Sequence, residues 1–101
     1  MCFNSDWPVA PLDPMVSIHA ALTRQPLSPS QPPQRQALMD VLRGYTTGGA
    51  YAEFMENRKG KLKPGMLADV VVLSGDIETA EDVRGLKAAV TICDGQATHE
   101  A

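Results

Sequence analysis

The sequence is poor in cysteine and in histidine, and this limits the chemistry it can carry. Its two cysteines, Cys2 and Cys93, lie far apart and form neither a C-x-x-C motif nor a disulfide framework. Reduced thiols are the rule in the cytoplasm, so we expect a cytoplasmic protein. The two histidines are isolated from each other. We expect His19 to lie beside the apolar stripe of a helix and His99 to lie in a frayed last strand, with neither binding a metal.

Long apolar runs and concentrated charge are also lacking. The longest apolar stretches, such as "ADVVVL" at 68–73, are far shorter than the ~20 residues of a membrane helix, and no signal peptide is visible. A net charge of −3 with a pI of 5.2 is not typical of proteins that bind nucleic acid or anionic membranes. The basic residues of 58–63 fall among glycine and proline, which favours a solvated loop over a phosphate-binding patch.

The patterns that are present begin with a short amphipathic helix. Asp13 and Pro14 make a favourable N-cap and first helical residue, and apolar residues then recur on one face until about Arg24. Residues 25–34 hold four of the eight prolines, and they predict an extended linker because proline excludes both helix and central strand.

Two further helices are predicted before residue 57. Apolar spacing indicates a second helix over 36–45, although "QRQ" at 34–36 lacks the usual Ser or Thr cap. Either Gly48 or Gly49 is expected to end this helix with positive φ. A shorter helix is predicted over residues 50–56. The first three residues, "MCF", could end a buried strand.

Residues 57–101 are predicted to be rich in β-structure. The strand candidates are "ADVVVLSG", "AAVTIC" and "QATHE". Asp94-Gly95 is the strongest hairpin signal in the chain. Thr79, three residues before Asp82, resembles a capping box and predicts one short helix. The fold class is therefore α+β, with a mostly helical part at 1–56 and a β-rich part at 57–101.

Four stretches, taken in order, resemble one superfamily. "SDWPV" at 5–9 is followed by "LRGYTTGGAYAEF" at 42–54, "LKPGMLADVVVL" at 62–73 and "VTICDGQ" at 90–96. This order resembles the metal-dependent amidohydrolases, and among them the amidohydrolase 3 group, which includes N-substituted formamide deformylase-like proteins. The resemblance covers nearly the whole chain, and its most specific element is the third stretch.

The resemblance implies an architecture for each part of the chain. Residues 1–56 would be the C-terminal remnant of a (β/α)₈ barrel, comprising its last β/α unit and closing helices. Residues 57–101 would be part of an accessory β-sandwich that does not touch the substrate. Met1 stands where the eighth barrel strand should begin, so we expect a truncated gene, a misplaced start or a dissected piece.

The same resemblance implies a role for Asp6. It would be the carboxylate at the end of the eighth barrel strand, where such enzymes place their chemistry. It would be both a ligand of a divalent metal, with zinc expected, and the acid–base group in hydrolysis of a C–N bond. Trp7 and Pro8 would stiffen its turn. Asp69 and Asp76 are expected to be structural, with Asp69 capping a turn.

Other ligands of such a site are missing from the sequence. The family pattern includes an H-x-H pair, often a bridging carboxylated lysine, and further histidines, but this sequence has no H-x-H. A hydrolytic zinc site uses three protein ligands and a water, and a full barrel takes ~250 residues. We therefore expect the chain alone to bind no metal and to be inactive, with a small-molecule substrate only if the missing barrel is supplied.

A second interpretation is a small non-enzymatic α+β module that binds a partner or associates with itself. The apolar stripes of the helices at 14–24 and 36–45 would be exposed if no barrel covers them. Exposed patches of this kind favour association. This interpretation predicts a homo-oligomer formed through apolar helix faces.

Overall fold

The computed structural model describes residues 1–101 and shows a small α+β fold. In chain order the elements are α1 (Pro14–Thr23), α2 (Leu38–Tyr45), α3 (Thr47–Ala52), β1 (Val70–Leu73), a 3₁₀ helix (Val83–Gly85), β2 (Ala88–Cys93) and β3 (Gln96–Glu100). The strands form one antiparallel sheet in the order β1-β2-β3. The predicted α+β class is confirmed. None of the helices is long and apolar enough to cross a membrane.

The start of α1 follows from its local sequence. The side chain of Asp13 accepts a hydrogen bond from the backbone N–H of Met15 at 2.9 Å, and Pro14 occupies the first turn, where a missing N–H costs nothing. The helix α2 begins after Ala37 without a side-chain cap, as the absence of Ser or Thr in this segment predicted. Both helices lie within a residue or two of their predicted bounds.

The break between α2 and α3 differs from the prediction. It falls at Thr46, with φ −122° and ψ −89°, while Gly48 and Gly49 lie inside α3 without positive φ. Thr46 can end α2 because its N–H donates to the carbonyl of Arg43 and its hydroxyl donates to the carbonyl of Leu42. These bonds satisfy the last turn without a glycine. The absence of a side chain at Gly48 instead lets the Met1 carbonyl approach the helix.

The hairpin formed by β2 and β3 was predicted correctly. Asp94 and Gly95 both have positive φ, 49° and 77°, which suits the right-handed twist of a two-residue hairpin turn. Beside this turn, the carboxylate of Asp69 accepts the Asp94 N–H at 2.8 Å. Asp69 therefore caps a turn, as expected, although the turn belongs to a segment 25 residues away.

Two other local predictions were wrong. The segment after β1 forms only a 3₁₀ helix, and its cap is Asp82, whose carboxylate accepts the Arg84 N–H, rather than Thr79. Earlier in this segment the Asp76 carboxylate accepts the Glu78 N–H, a local side-chain bond of the kind that competes with helix formation. Residues 1–3 form no strand, because the Phe3 N–H donates to the Gly44 carbonyl of α2 rather than to a sheet.

The core is small and joins both parts of the chain. Ile18 of α1, Val41 of α2 and Val83 of the 3₁₀ helix form one buried cluster, with 3%, 0% and 5% of their surfaces exposed. Partly buried residues packed around it include Phe3, Leu22, Leu42 and Ile77. The apolar stripes of α1 and α2 are thus directed into a shared core. The division of the chain into a helical part at 1–56 and a β-rich part at 57–101 stays a prediction.

Candidate functional site

The predicted site residue Asp6 lies in a tight turn near the start of the chain. Its N–H donates to the side-chain oxygen of Asn4 at 3.0 Å, and its carbonyl accepts the Val9 N–H at 2.8 Å. Asp6 has φ 50°, a left-handed conformation that Asp tolerates better than most residues. The peptide bond between Trp7 and Pro8 is cis. Short-range hydrogen bonds therefore fix the backbone at Asp6.

The carboxylate of Asp6 is exposed and makes neither a hydrogen bond nor an ion pair with the rest of the chain. This distinguishes it from Asp13, Asp69, Asp76 and Asp82, whose carboxylates each accept a backbone N–H. Aspartates in turns usually have such a structural bond. Since Asp6 does not use its side chain in this way, both of its oxygens are free to meet a group from outside the chain.

The structure does not bring the potential metal ligands of this chain together. Nowhere in residues 1–101 do three or more His, Cys, Asp or Glu side chains lie together in a way that could hold a metal ion. A hydrolytic zinc site needs three protein ligands. The donors present, with Asp6 as a single carboxylate, do not fit the metal centre that the resemblance implies.

The histidines and cysteines lie apart from Asp6. His19 is partly buried on α1, and its Nδ1 lies 3.4 Å from Oδ1 of Asp82. His99 is exposed on β3, opposite Thr91 of β2. Cys2 and Cys93 are both exposed free thiols.

The sequence reasoning missed a polar cluster at the base of the 3₁₀ helix. Asp82 accepts the backbone N–H and the guanidinium of Arg84, with an ion-pair distance of 2.6 Å, and it also approaches His19. The side-chain and backbone hydrogen bonds from Arg84 hold the pKa of Asp82 well below its usual value of 3.8, with a smaller contribution from the charge of His19. The Asp-x-Arg spacing was the available signal. The cluster links α1 to the 3₁₀ helix.

A cavity of about 440 Å³ lies between α3 and the β1–β2 part of the sheet. Its wall includes Glu53 and Lys59, which form an ion pair of 2.9 Å, together with Asp69 and Cys93. Asp69 is already bound to the Asp94 N–H, and Asp6 is not part of the wall. The cavity and the predicted site residue are therefore separate features.

Comparison with known proteins establishes the family. A family model described as "Amidohydrolase family" matches residues 1–99. The chain therefore belongs to the amidohydrolase family, whose members generally use a metal. It is 31% identical over 105 aligned residues to "Putative amidohydrolase YtcJ" of Bacillus subtilis (strain 168), which covers 96% of this chain.

A plant protein is also similar to the chain. "Protein LONG AFTER FAR-RED 3" of Arabidopsis thaliana is 39% identical over 77 residues, or 73% of this chain. The chain spans only 13% of the plant relative and 20% of the bacterial one. No solved structure matches the chain significantly. The relatives therefore carry large additional segments to which nothing in this chain corresponds.

Proposed function

We propose that this chain is the C-terminal part of a metal-dependent hydrolase acting on non-peptide C–N bonds, and that it is not catalytic alone. In the complete assembly Asp6 would serve as a metal ligand and as the group that accepts and returns a proton. The N-substituted formamide deformylase-like group is the proposed branch, and zinc the proposed metal. A cytoplasmic location belongs to the same proposal and agrees with the two exposed thiols.

One observation carries this proposal. Asp6 has a backbone fixed by local hydrogen bonds, yet its carboxylate has no partner in the chain. A carboxylate held in place and left free is what a binding site assembled from several segments requires. Membership of the amidohydrolase family supports the class of reaction, and the small share of the relatives that the chain covers supports the need for further segments.

The exposed Trp7 next to Asp6 also has a proposed role. Trp7 is 63% exposed, and Val9 on the other side of Pro8 is 81% exposed. Exposed apolar side chains that lie close together are typical of surfaces that another element covers. We propose that Trp7 forms a wall of the substrate pocket once the remaining segments are present, and that it excludes water from the vicinity of Asp6.

The test uses the purified chain with Asp6→Ala and with Glu56→Ala as a matched control, because Glu56 is also an exposed carboxylate without a hydrogen bond or ion pair. Zinc binding is measured by titration calorimetry, and hydrolysis is measured with N-substituted formamides in the presence of zinc. We expect no hydrolysis by any form and no zinc site of the affinity that hydrolysis needs; any weak zinc binding that is detected should be reduced by Asp6→Ala but not by Glu56→Ala.

Two results would contradict this proposal. Zinc-dependent hydrolysis by the chain alone would show that the missing ligands are not needed. Detectable zinc binding that is equal in the wild type and Asp6→Ala would remove Asp6 as a ligand.

A non-enzymatic module that associates with itself is the second candidate. It is favoured by the exposed apolar side chains of the strand β1, where Val71 and Val72 are 56% and 48% exposed. Burial of such side chains is the main favourable term in protein association. This candidate is compatible with the first, because a chain that lacks most of its relatives' length can still form a complex with a second copy.

A further inference from the structure

We propose that Phe3 and Asn4 are positioning residues for Asp6. Phe3 fastens the first residues of the chain to α2, and Asn4 holds the Asp6 backbone in the turn that follows. The purpose of a fixed Asp6 rests on the proposed function, whereas the anchoring itself does not require Asp6 to bind a metal. It is measured without zinc and without substrate, so failure of the anchoring and failure of the proposed function are distinguishable.

The first observation is the close approach of residues 1–3 to the helices. The Phe3 N–H donates to the Gly44 carbonyl at 3.2 Å. A Cβ at Gly44 would lie 2.6 Å from Cε2 of the Phe3 ring, and a Cβ at Gly48 would meet the carbonyl of Met1. The two glycines therefore leave the space that the first residues occupy. Contacts as close as these leave the segment little freedom to shift.

The second observation is the set of contacts made by the Phe3 ring. It stacks on the ring of Tyr45, with centroids 5.5 Å apart and an angle of 16° between the planes. Phe3 is partly buried and packs against the buried core cluster, while the side chains of residues 1, 2 and 4 are exposed. Phe3 is therefore the side chain that anchors the start of the chain.

The third observation is the bond that joins this anchor to Asp6. Asn4 directly follows Phe3, and its side-chain oxygen accepts the Asp6 N–H at 3.0 Å. Asp6 has a left-handed φ of 50°, a conformation that persists in a residue with a side chain only where its surroundings hold it. Phe3 thus fixes where the turn begins, and Asn4 fixes the conformation of Asp6 within it.

The backbone has to do this positioning because the carboxylate cannot. The Asp6 side chain is exposed and makes neither a hydrogen bond nor an ion pair with the chain, so no contact of its own orients it. A group that serves a binding site has to be held within about 0.5 Å of its working position by its supporting residues. Phe3 and Asn4 are the supporting residues that the structure provides before Asp6.

The test measures the nitrogen-15 backbone order parameter of the Asp6 amide by NMR in the full chain. Values near about 0.85 indicate a rigid backbone and values below about 0.6 a flexible one. We expect Asp6 to be rigid in the wild type and flexible in Phe3→Ala and in Asn4→Ala. Phe3→Tyr keeps the aromatic ring and Asn4→Asp keeps an oxygen acceptor, so both should retain the rigid value.

Three further variants separate positioning from stability. Gly44→Ala acts from the helix side, because its added Cβ would displace the Phe3 ring, and it should also make Asp6 flexible. Gly49→Ala is the matched control, because an added Cβ there meets nothing within 4 Å. Asp69→Ala removes a hydrogen bond within the β-rich part and controls for a general loss of stability. Both controls should leave Asp6 rigid.

Several results would overturn the proposal. These are a flexible Asp6 in the wild type, a rigid Asp6 in Phe3→Ala, Asn4→Ala or Gly44→Ala, and a flexible Asp6 in either conservative variant or either control. Dispersion of the other amide signals verifies that each variant is folded. If Phe3→Ala does not fold, Asn4→Ala and Asn4→Asp decide the result, because the Asn4 side chain is exposed and lies outside the core.

Discussion

The carboxylate of Asp69 accepts a hydrogen bond of 2.8 Å from the backbone N–H of Asp94, and so joins the residue before β1 to the turn between β2 and β3. The Gly95 N–H adds a second bond to the Ala68 carbonyl at 3.0 Å. Together these bonds hold the start of β1 against the turn between β2 and β3. Asp69 lies in the most specific element of the family resemblance, and its contact is structural.

Two substitutions at Asp69 distinguish the contribution of its hydrogen bond to stability from the contribution of its charge. Asp69→Ala is expected to lower the free energy of unfolding by about 1 kcal/mol, because one net hydrogen bond is lost. Asp69→Asn keeps an oxygen acceptor and should retain most of the stability. Urea unfolding followed by circular dichroism measures both. Equal losses in the two variants would show that charge, rather than the hydrogen bond to Asp94, is what matters.

The buried cluster should be sensitive to loss of volume. Val41 is 0% exposed, and Val41→Ala is expected to cost about 2 kcal/mol through lost burial and a residual cavity. Val9 is 81% exposed, and Val9→Ala should change stability by less than about 0.5 kcal/mol. Thermal and urea unfolding of both variants provide the comparison. Similar effects at the two positions would mean that the core does not form as described.

Asp82 should make stability depend on pH in the acid range. Its folded-state pKa is lowered by the hydrogen bonds from Arg84, so its contribution is fully present above the unfolded-state pKa and is lost as the pH falls through the folded-state pKa. Asp82→Asn keeps the oxygen that accepts the Arg84 N–H but removes the charge. Between about pH 5 and about pH 2 the wild type should therefore lose more stability than this variant.

The control for this pH experiment is Glu56→Gln, which removes a carboxylate that has no ion-pair partner. Unfolding curves are collected at each pH for the three proteins. The difference between the wild type and Asp82→Asn should shrink as the solution becomes more acidic. A difference that stays constant with pH would show that Arg84 does not stabilise the charged form.

Two glycines inside helices should respond differently to replacement by alanine. At Gly49 an added Cβ would meet nothing within 4 Å, so Gly49→Ala should stabilise α3 by about 0.5–1 kcal/mol. At Gly44 it would lie 2.6 Å from Cε2 of Phe3. The Phe3 ring, which stacks on Tyr45 with centroids 5.5 Å apart, would have to move, and Gly44→Ala should be neutral or destabilising by about 1–3 kcal/mol.

These two variants are compared by urea unfolding, with near-ultraviolet circular dichroism to follow the aromatic pair. Loss of the aromatic signal is expected only for Gly44→Ala. Stabilisation by both substitutions would show that the first residues do not pack on α2.

Much of the local structure could be read from short stretches of sequence. Asp13-Pro14 fixed the start of α1, and Asp94-Gly95 fixed the hairpin, because caps and two-residue turns depend on neighbouring backbone groups. The predictions at Thr79 and at Gly48 and Gly49 were wrong for a common reason. In each case several residues nearby could serve the same role, and competing hydrogen bonds from Asp76, Asp82 and Thr46 decided between them.

The candidate site was predicted from a family resemblance rather than from geometry. The sequence named Asp6 and showed that too few histidines were present to complete a metal centre. It could not show that the Asp6 carboxylate has no partner in the chain while those of Asp13, Asp69, Asp76 and Asp82 each accept a backbone N–H, because hydrogen bonding by a side chain depends on the fold around it. The Asp82–Arg84–His19 cluster was missed because His19 is distant in the chain from the other two.

The sequence by itself determined the fold class, the extent of α1, the β2–β3 hairpin and the shortage of metal ligands, since each follows from composition or from contacts between near neighbours. The tertiary structure alone decided which apolar surfaces are covered. It placed Ile18 and Val41 in the core and left Val71 and Val72 exposed on an open strand edge. Both pairs look equally suited to burial in the sequence, and only the packing of distant segments distinguishes them.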